Sequence, residues 1–202
     1  MKKIYLLLSA ALLVIVLVGG VVAAGAAMYV GRSDGPIVHA IIRTVPVPAA
    51  RVGEHTILYS EYLEELDTMR TFLASEAAKE QGIEISFDAT LEENIYEKLV
   101  NAAALEDVAQ RYEISVTDVE LLGFFDEVAQ AASSTQTDIG TYLLETYGWN
   151  EEEFRQNVLR PALLEQKISA QLAATDPNNP DALALLISQR LSEDDVKRYV
   201  RF

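Results

Sequence analysis

The side chains that could do chemistry in this sequence are mainly carboxylates. Glu92 and Glu93 are adjacent, and Glu151, Glu152 and Glu153 form a run of three. Neighbouring carboxylates can transfer protons or bind cations. Both groups, however, lie in the first turn of a predicted helix, where an acidic side chain stabilises the helix dipole by ~0.3–1 kcal/mol. We therefore interpret both groups as structural.

Other catalytic residue types are scarce. The chain has no cysteine and two histidines, His39 and His55, which are far apart in the sequence. A thiol nucleophile, a disulfide and cysteine-bound zinc are therefore excluded, and a pairing of nucleophile and base is disfavoured. The motifs of serine hydrolases, phosphate-binding loops and zinc proteases do not occur. We expect no catalytic residue, no metal site and no cofactor.

The charge of the chain limits its partners. The formal net charge is −15 over 202 residues. Nucleic acids and anionic lipid surfaces need clustered lysine and arginine, so neither is expected as a partner. An acidic binding protein favours basic or neutral apolar clients.

The N-terminal segment predicts a membrane anchor. Lys2 and Lys3 precede residues 4–30, which carry no charge and exceed the ~20 residues that a membrane-spanning helix needs. The lysines orient the N-terminus to the cytoplasm and the rest of the chain to the extracytoplasmic side of the cell membrane. Ala24-Gly25-Ala26 leaves open a cleaved signal peptide, but the apolar segment is longer than a signal core of ~7–15 residues. We predict residues 1–31 as the anchor and residues 32–50, with Pro46 and Pro48, as an extended stalk.

Residues 51–174 predict an all-α, multi-helix domain with a short extended lead-in at 51–57 that turns at Gly53-Glu54. The organising helix begins at Thr90, which forms a capping box with Glu93. Its apolar residues recur at intervals of three and four, as on one face of a helix: Leu91, Ile95, Leu99, Ala102, Leu105, Val108 and Tyr112.

The same reasoning predicts the other helices. Ser60 caps a helix that runs to about Gln81, and Thr117 with Glu120 opens the next helix after the organising one. Further caps lie at Asp138, at Asn150 with Glu153, at Asp181 and at Ser192; Gly148 ends a helix, and Pro161 kinks another near Asn157. Residues 175–202 are predicted as a helical extension.

Three passages of this domain resemble one protein family. Residues 98–120, KLVNAAALEDVAQRYEISVTDVE, residues 51–62, RVGEHTILYSEY, and the YGWNEEEF of 147–154 followed by the RPALLEQK of 160–167 resemble, in order and spacing, the N-terminal chaperone domain of SurA, PrsA and trigger factor. The resemblance implies a helical domain that binds unfolded polypeptides without ATP. In this family a parvulin isomerase domain usually follows. The sequence ends at Phe202, so we expect no isomerase activity and predict that the chain is not an enzyme.

The predicted binding surface consists of apolar residues that exceed one core stripe or lie at helix ends, because exposed apolar patches mark interaction sites. These residues are Phe124, Phe125, Tyr142, Leu143, Tyr147, Trp149 and Phe154. With the resemblance they favour a membrane-anchored, extracytoplasmic holdase for unfolded or partly folded clients. Two alternatives stay open: a non-catalytic adaptor for one specific partner, or a remnant of a parvulin-type isomerase.

Overall fold

A computed structural model describes residues 45–133, 138–192 and 196–200 of the chain. The predicted anchor, residues 1–31, lies outside these ranges, as does most of the predicted stalk. Within the described ranges, no helix has both the length and the apolar character needed to cross a bilayer.

Most of the described residues are helical, as predicted. The α-helices are α1 (Tyr59–Ala74), α2 (Glu76–Glu80), α3 (Ala89–Arg111), α4 (Asp118–Ser133), α5 (Ile139–Tyr147), α6 (Glu151–Phe154), α7 (Arg160–Thr175) and α8 (Ala182–Leu191). A π-helical turn, Arg155–Leu159, joins α6 to α7, and Pro161 is the second residue of α7. Proline removes a backbone donor and crowds the preceding turn, so the predicted disturbance near Asn157 takes the form of this wider turn.

The described residues also contain a small antiparallel sheet with strand order β2–β1–β3. Its strands are β1 (Pro48–Val52), β2 (His55–Leu58) and β3 (Val196–Arg198). Gly53 lies between β1 and β2 with φ of +57°, a left-handed conformation that glycine adopts without steric cost. The predicted turn at Gly53-Glu54 is confirmed, and the all-α description is corrected by the sheet.

The predicted final helix after Ser192 is wrong where the structure describes it. Residues 196–198 form β3, which pairs antiparallel with β1, so that Val196 is opposite Val52 and Arg198 is opposite Ala50. Val200 follows and is only 3% exposed, in the same core as the sheet. The free edge of β1 offers unpaired backbone groups, and pairing with them lets this segment bury Val200.

Two helix starts differ from the prediction. Helix α1 begins at Tyr59 rather than after Ser60, and the Glu61 carboxylate accepts a hydrogen bond of 2.9 Å from the Leu58 backbone N–H. Helix α3 begins at Ala89, because Asp88 rather than Thr90 is its cap; Asp88 Oδ1 accepts from the backbone of Thr90 at 3.0 Å. Asp is as good a cap as Thr and lies two residues earlier, so it adds a helical half-turn.

The helix predicted from Ser60 to about Gln81 is divided at Ser75. Ser75 has extended backbone (ψ 157°), and its hydroxyl accepts a hydrogen bond from the Ala78 N–H, which starts the short helix α2. A serine inside a helical pattern can cap a new helix instead of continuing the old one.

Three other predicted caps form the expected side-chain hydrogen bonds. Thr117 and Glu120 exchange hydrogen bonds ahead of α4, and Asn150 and Glu153 do the same at α6. Asp138 Oδ1 accepts from the Thr141 N–H at 2.8 Å at the start of α5.

Helix α3 connects the two hydrophobic cores of the domain. Its first half packs with the sheet and α1 around three buried tyrosines, Tyr59, Tyr62 and Tyr96. Its second half packs with α4, the π-helical turn, α7 and α8 around Leu105, Val108 and other apolar residues. The predicted role of this helix as the organising element is therefore confirmed by its packing.

Candidate functional site

A cleft of about 500 Å³ lies between α1, α5 and the segment formed by α6 and the π-helical turn. We call it the acidic cleft, because its lining includes six carboxylate side chains and no lysine or arginine. These carboxylates are Glu61, Glu64, Glu65, Asp67, Glu152 and Glu153.

One wall of the acidic cleft is aromatic. Tyr147 stacks on Trp149 with ring centroids 5.1 Å apart and planes inclined by 24°. Tyr147 also stacks on Phe72, with ring centroids 5.5 Å apart, and Tyr142 meets Tyr147 edge-on at 6.3 Å. Such aromatic pairs add about 0.5–1.5 kcal/mol beyond the burial of their area. The wall is therefore a rigid aromatic surface rather than a set of independent rings.

The turn at Gly148 positions this wall. Gly148 ends α5 in the left-handed conformation, with φ of 74°, as the sequence predicts. The chain reverses there, and the Trp149 N–H donates back to the Leu143 carbonyl at 3.3 Å. The indole Nε1–H then donates to Thr68 Oγ1 on α1 at 2.9 Å. This bond attaches the aromatic turn to α1 across the floor of the cleft.

Most of the cleft carboxylates are held by local partners. Glu61 and Glu153 accept hydrogen bonds from the backbone N–H groups of Leu58 and Asn150, at 2.9 and 2.7 Å. Glu65 pairs with Lys98 at 2.7 Å. In the same way Asp67 pairs with Arg70 and Glu152 with Arg155. These contacts keep the carboxylates in fixed positions around the cleft.

Glu64 differs from its neighbours. Desolvation by the cleft walls raises the pKa of its carboxyl group, and the nearby negative charges of Glu61, Glu153, Asp67 and Glu65 raise it further. Like charges disfavour the ionised form of a carboxyl group. A cation entering the cleft would relieve this repulsion, so the electrostatics of the cleft favour a positively charged ligand.

The combination of an aromatic wall and fixed carboxylates suits particular ligands. Aromatic faces attract lysine and arginine side chains through cation–π interactions and also bind apolar groups. Carboxylates attract the same cations over several ångströms. The cleft can therefore bind a polypeptide segment that carries basic and apolar side chains.

The seven residues of the predicted binding surface are distributed differently from the expectation. Phe125, Leu143 and Trp149 are buried inside the domain, so most of their side-chain area is committed to internal packing. Phe124 and Phe154 are partly buried against the second core, and Tyr147 is partly buried in the cleft wall. Tyr142 is 40% exposed. Tyr147 and Trp149 line the acidic cleft, whereas Phe124, Phe125 and Phe154 do not.

Sequence reasoning missed the contribution of α1 to this site. Glu64, Asp67 and Thr68 lie within four residues of one another on α1, and the fold brings this segment to the same cleft as Trp149, more than eighty residues later. The spacing of Glu61, Glu64 and Glu65 places these carboxylates on one helical face. That spacing was the available signal for an acidic face beside the aromatic turn.

The carboxylates and histidine that could serve in metal binding or acid–base chemistry lie in helix first turns or contact neighbouring side chains. Glu151, Glu152 and Glu153 form the first turn of α6, and Glu92 lies in the first turn of α3. His55 Nε2 contacts Gln110 Oε1 at 3.2 Å. Across the described ranges, no three histidine or acidic side chains are grouped so that they could hold a metal ion.

Comparison with known proteins gave one finding. Residues 1–169 match the protein family described as the SurA-like N-terminal domain. No curated protein and no solved structure matches the chain.

Proposed function

Because the chain belongs to the SurA-like N-terminal domain family, a chaperone-like family, we propose that it is an ATP-independent holdase for unfolded or partly folded polypeptides. The family match over residues 1–169 is the observation that carries this proposal. A family determines the fold more firmly than the activity, so the site has to supply the rest of the argument.

The acidic cleft supplies the client chemistry. Its aromatic wall, Tyr147 and Trp149, accommodates apolar and aromatic side chains of an unfolded chain, and its carboxylates select basic ones. The exposed Tyr142 extends the aromatic surface beyond the cleft. Clients with alternating basic and apolar residues are therefore expected to bind best, and acidic clients worst.

The cellular setting is part of the same proposal. Lys2 and Lys3 followed by the uncharged residues 4–30 support a single membrane anchor with the domain on the extracytoplasmic side. An acidic domain tethered in this way stays soluble next to anionic lipid, which repels it. We place no catalytic step in this chain; its work is reversible binding.

The direct test is aggregation of chemically unfolded clients in the presence of the full-length chain, in a non-ionic detergent and without nucleotide. One client is basic and one is acidic, at matched length. Suppression at near-stoichiometric ratios, stronger for the basic client, is the expected result. If the chain suppresses the aggregation of none of several clients, the holdase proposal is wrong and an adaptor for one partner is favoured.

Two pairs of variants locate the binding surface. Glu64→Lys reverses a cleft charge, and Glu127→Lys makes the same change on the exposed face of α4. Within the described part of the chain the Glu64 carboxylate has no hydrogen-bond or ion-pair partner, so its replacement should not unfold the domain. We expect Glu64→Lys to weaken binding of the basic client roughly fivefold, equivalent to ~1 kcal/mol, and Glu127→Lys to leave it unchanged.

The aromatic surface has its own matched pair. Tyr142→Ser removes an exposed ring that contacts Tyr147, whereas Leu144→Ser removes a side chain on the same helix that is 62% exposed. Only Tyr142→Ser should reduce suppression of aggregation. Equal effects of the two variants would show that general surface hydrophobicity, rather than the aromatic wall, binds the clients.

A further inference from the structure

The part of the chain that leads into β1 differs in charge from the rest of the protein. Residues 35–53 contain no aspartate or glutamate, although the net charge of the chain is −15. Within them, residues 37–44, IVHAIIRT, combine branched apolar side chains with His39 and Arg43. We call residues 37–44 the entry segment; it lies outside the ranges that the structure describes. Its composition, basic and apolar, is that of the clients expected to bind best in the acidic cleft.

The described chain starts beside the helix that carries most of the cleft carboxylates. The Val47 carbonyl accepts a hydrogen bond of 2.7 Å from the backbone N–H of Tyr59, the first residue of α1. From Tyr59 to Glu64 the helix advances about 7.5 Å, at ~1.5 Å per residue. From Val47 back to Arg43 an extended chain spans up to about 13–14 Å. Arg43 is therefore within reach of the cleft.

The acidic cleft holds negative charge that its neighbours do not neutralise. Three of its six carboxylates form ion pairs with lysine or arginine side chains. The other three, Glu61, Glu64 and Glu153, form no such pair within the described part of the chain. Arginine is protonated at every physiological pH and carries five N–H donors, so Arg43 complements this excess in both charge and hydrogen bonding.

The apolar side chains of the entry segment also have a counterpart in the cleft. Its lining includes Leu99 and Trp149, against which a branched aliphatic side chain can pack. In an extended segment every second side chain lies on the same face, so Ile41 and Arg43 share one face, about 7 Å apart. A single face of the segment thus presents one apolar and one cationic group to a cleft that is lined by both of their partners.

We propose that the entry segment occupies the acidic cleft of its own molecule until a client displaces it, with Arg43 at the unpaired carboxylates and Ile41 against the aromatic wall. Its covalent attachment favours this occupant, because a ligand tethered beside its site binds at an effective concentration of roughly millimolar. Only clients that bind well enough to compete with it gain access. The inference rests on the proposed function, because it concerns the regulation of the same cleft.

The composition of the chain permits a direct fluorescence test. Trp149, in the lining of the cleft, is the only tryptophan, and the chain has no cysteine. Ala40→Cys places one thiol in the entry segment, where it is labelled with bimane, a fluorophore that a nearby tryptophan quenches. In the full-length chain in non-ionic detergent we expect quenched bimane, and Trp149→Phe should reduce the quenching. If the quenching disappears on dilution, a second copy supplies the segment and the proposal is wrong.

A matched pair of charge variants makes the test specific. Arg43→Gln removes the cation of the entry segment, and Arg32→Gln makes the same change outside it. If the segment fills the cleft in about four fifths of the molecules, its release raises the apparent affinity for the basic client about fivefold. We therefore expect Arg43→Gln to reduce the quenching and to strengthen client binding by this factor, and Arg32→Gln to change neither. Equal effects of the two variants would contradict the proposal.

The clients of the aggregation assay separate this inference from the holdase proposal. The basic client should relieve the quenching of bimane, and the acidic client should not. If clients are protected while bimane is unquenched, the holdase stands and only the present inference is wrong. If Trp149 quenches bimane while no client binds, contact between the segment and the cleft is supported and the holdase proposal is wrong. Unquenched, blue-shifted bimane would indicate that the detergent binds the segment, which overturns the inference.

Discussion

Loss of the Asp107 charge is expected to destabilise the domain more than any comparable surface change. Asp107 and Arg190 are 7% and 2% exposed, and Arg190 Nε lies 2.7 Å from Asp107 Oδ2. Asp107→Asn removes the carboxylate that pairs with this buried guanidinium, and breaking a buried ion pair by removal of one partner costs about 3–5 kcal/mol. For a domain of this size each kcal/mol lowers Tm by about 2–4 °C, so a fall of about 6–20 °C is expected. The partner Arg111 is more than half exposed and changes this figure little.

A double-mutant cycle separates the ion pair from the packing around it. Asp107→Leu and Arg190→Met should each be destabilising, because each removes one partner of a buried ion pair. The double variant should lie much closer to the wild type than the sum of the two, since replacing a buried pair by apolar residues is often neutral. Far-UV circular dichroism during urea unfolding measures all four free energies of unfolding.

The exposed ion pair of Lys79 serves as the control for this prediction. Lys79→Gln breaks an exposed ion pair and should change stability by at most ~1 kcal/mol. If Asp107→Asn costs no more than this control, the pair is solvated and the argument from burial is refuted. Additive single variants would refute it in the same way.

The remaining predictions concern three side chains. Hydrogen bonds, first from Lys167 and then from Thr117, lower the pKa of Glu120 to about 2, below its ordinary value of 4.5. The stability that this carboxylate contributes is therefore present above pH 4.5 and is lost as the pH falls from 4.5 to about 2. Glu120→Gln should flatten the curve of Tm against pH in that range. The pKa of Glu64 is raised, so its ionised form opposes folding at neutral pH. Glu64→Gln should therefore raise Tm at pH 7. It should not raise Tm well below pH 4, because both proteins are then uncharged at this position. Trp149→Phe removes the 2.9 Å hydrogen bond to Thr68 and leaves that hydroxyl without its indole partner. Urea unfolding should therefore show a free energy of unfolding that is lower by about 1–3 kcal/mol. A decrease below about 0.5 kcal/mol would indicate that this bond does not hold the aromatic turn.

Local features of the fold could be predicted because their causes lie within four residues. The capping boxes of Thr117 with Glu120 and of Asn150 with Glu153 satisfy backbone N–H groups in the same turn. Gly148 ends α5 for a reason confined to its own φ angle. Where two nearby residues compete for the same role, as Asp88 and Thr90 do at α3, sequence reasoning chose the wrong one.

The candidate site was predicted only in part, because burial depends on distant elements. Phe125 and Trp149 were expected at the surface, because the sequence of one helix does not show which of its other faces a neighbouring element covers. Phe125 is covered by Phe154 and Arg155 from the α6 segment, and Trp149 by α1 through Thr68. Tyr142 stays exposed at the end of the same aromatic group.

The sequence by itself determined the acidity of the chain, its helical periodicity, the family to which it belongs and most of its helix ends. These properties depend on composition or on neighbouring residues. Only the tertiary structure decided that residues 196–198 become a third strand beside β1, because a strand gains its hydrogen bonds from a partner far away in the sequence. The same holds for the acidic cleft, because packing places Glu64 and Trp149 in the lining of one cleft although no local pattern connects their segments.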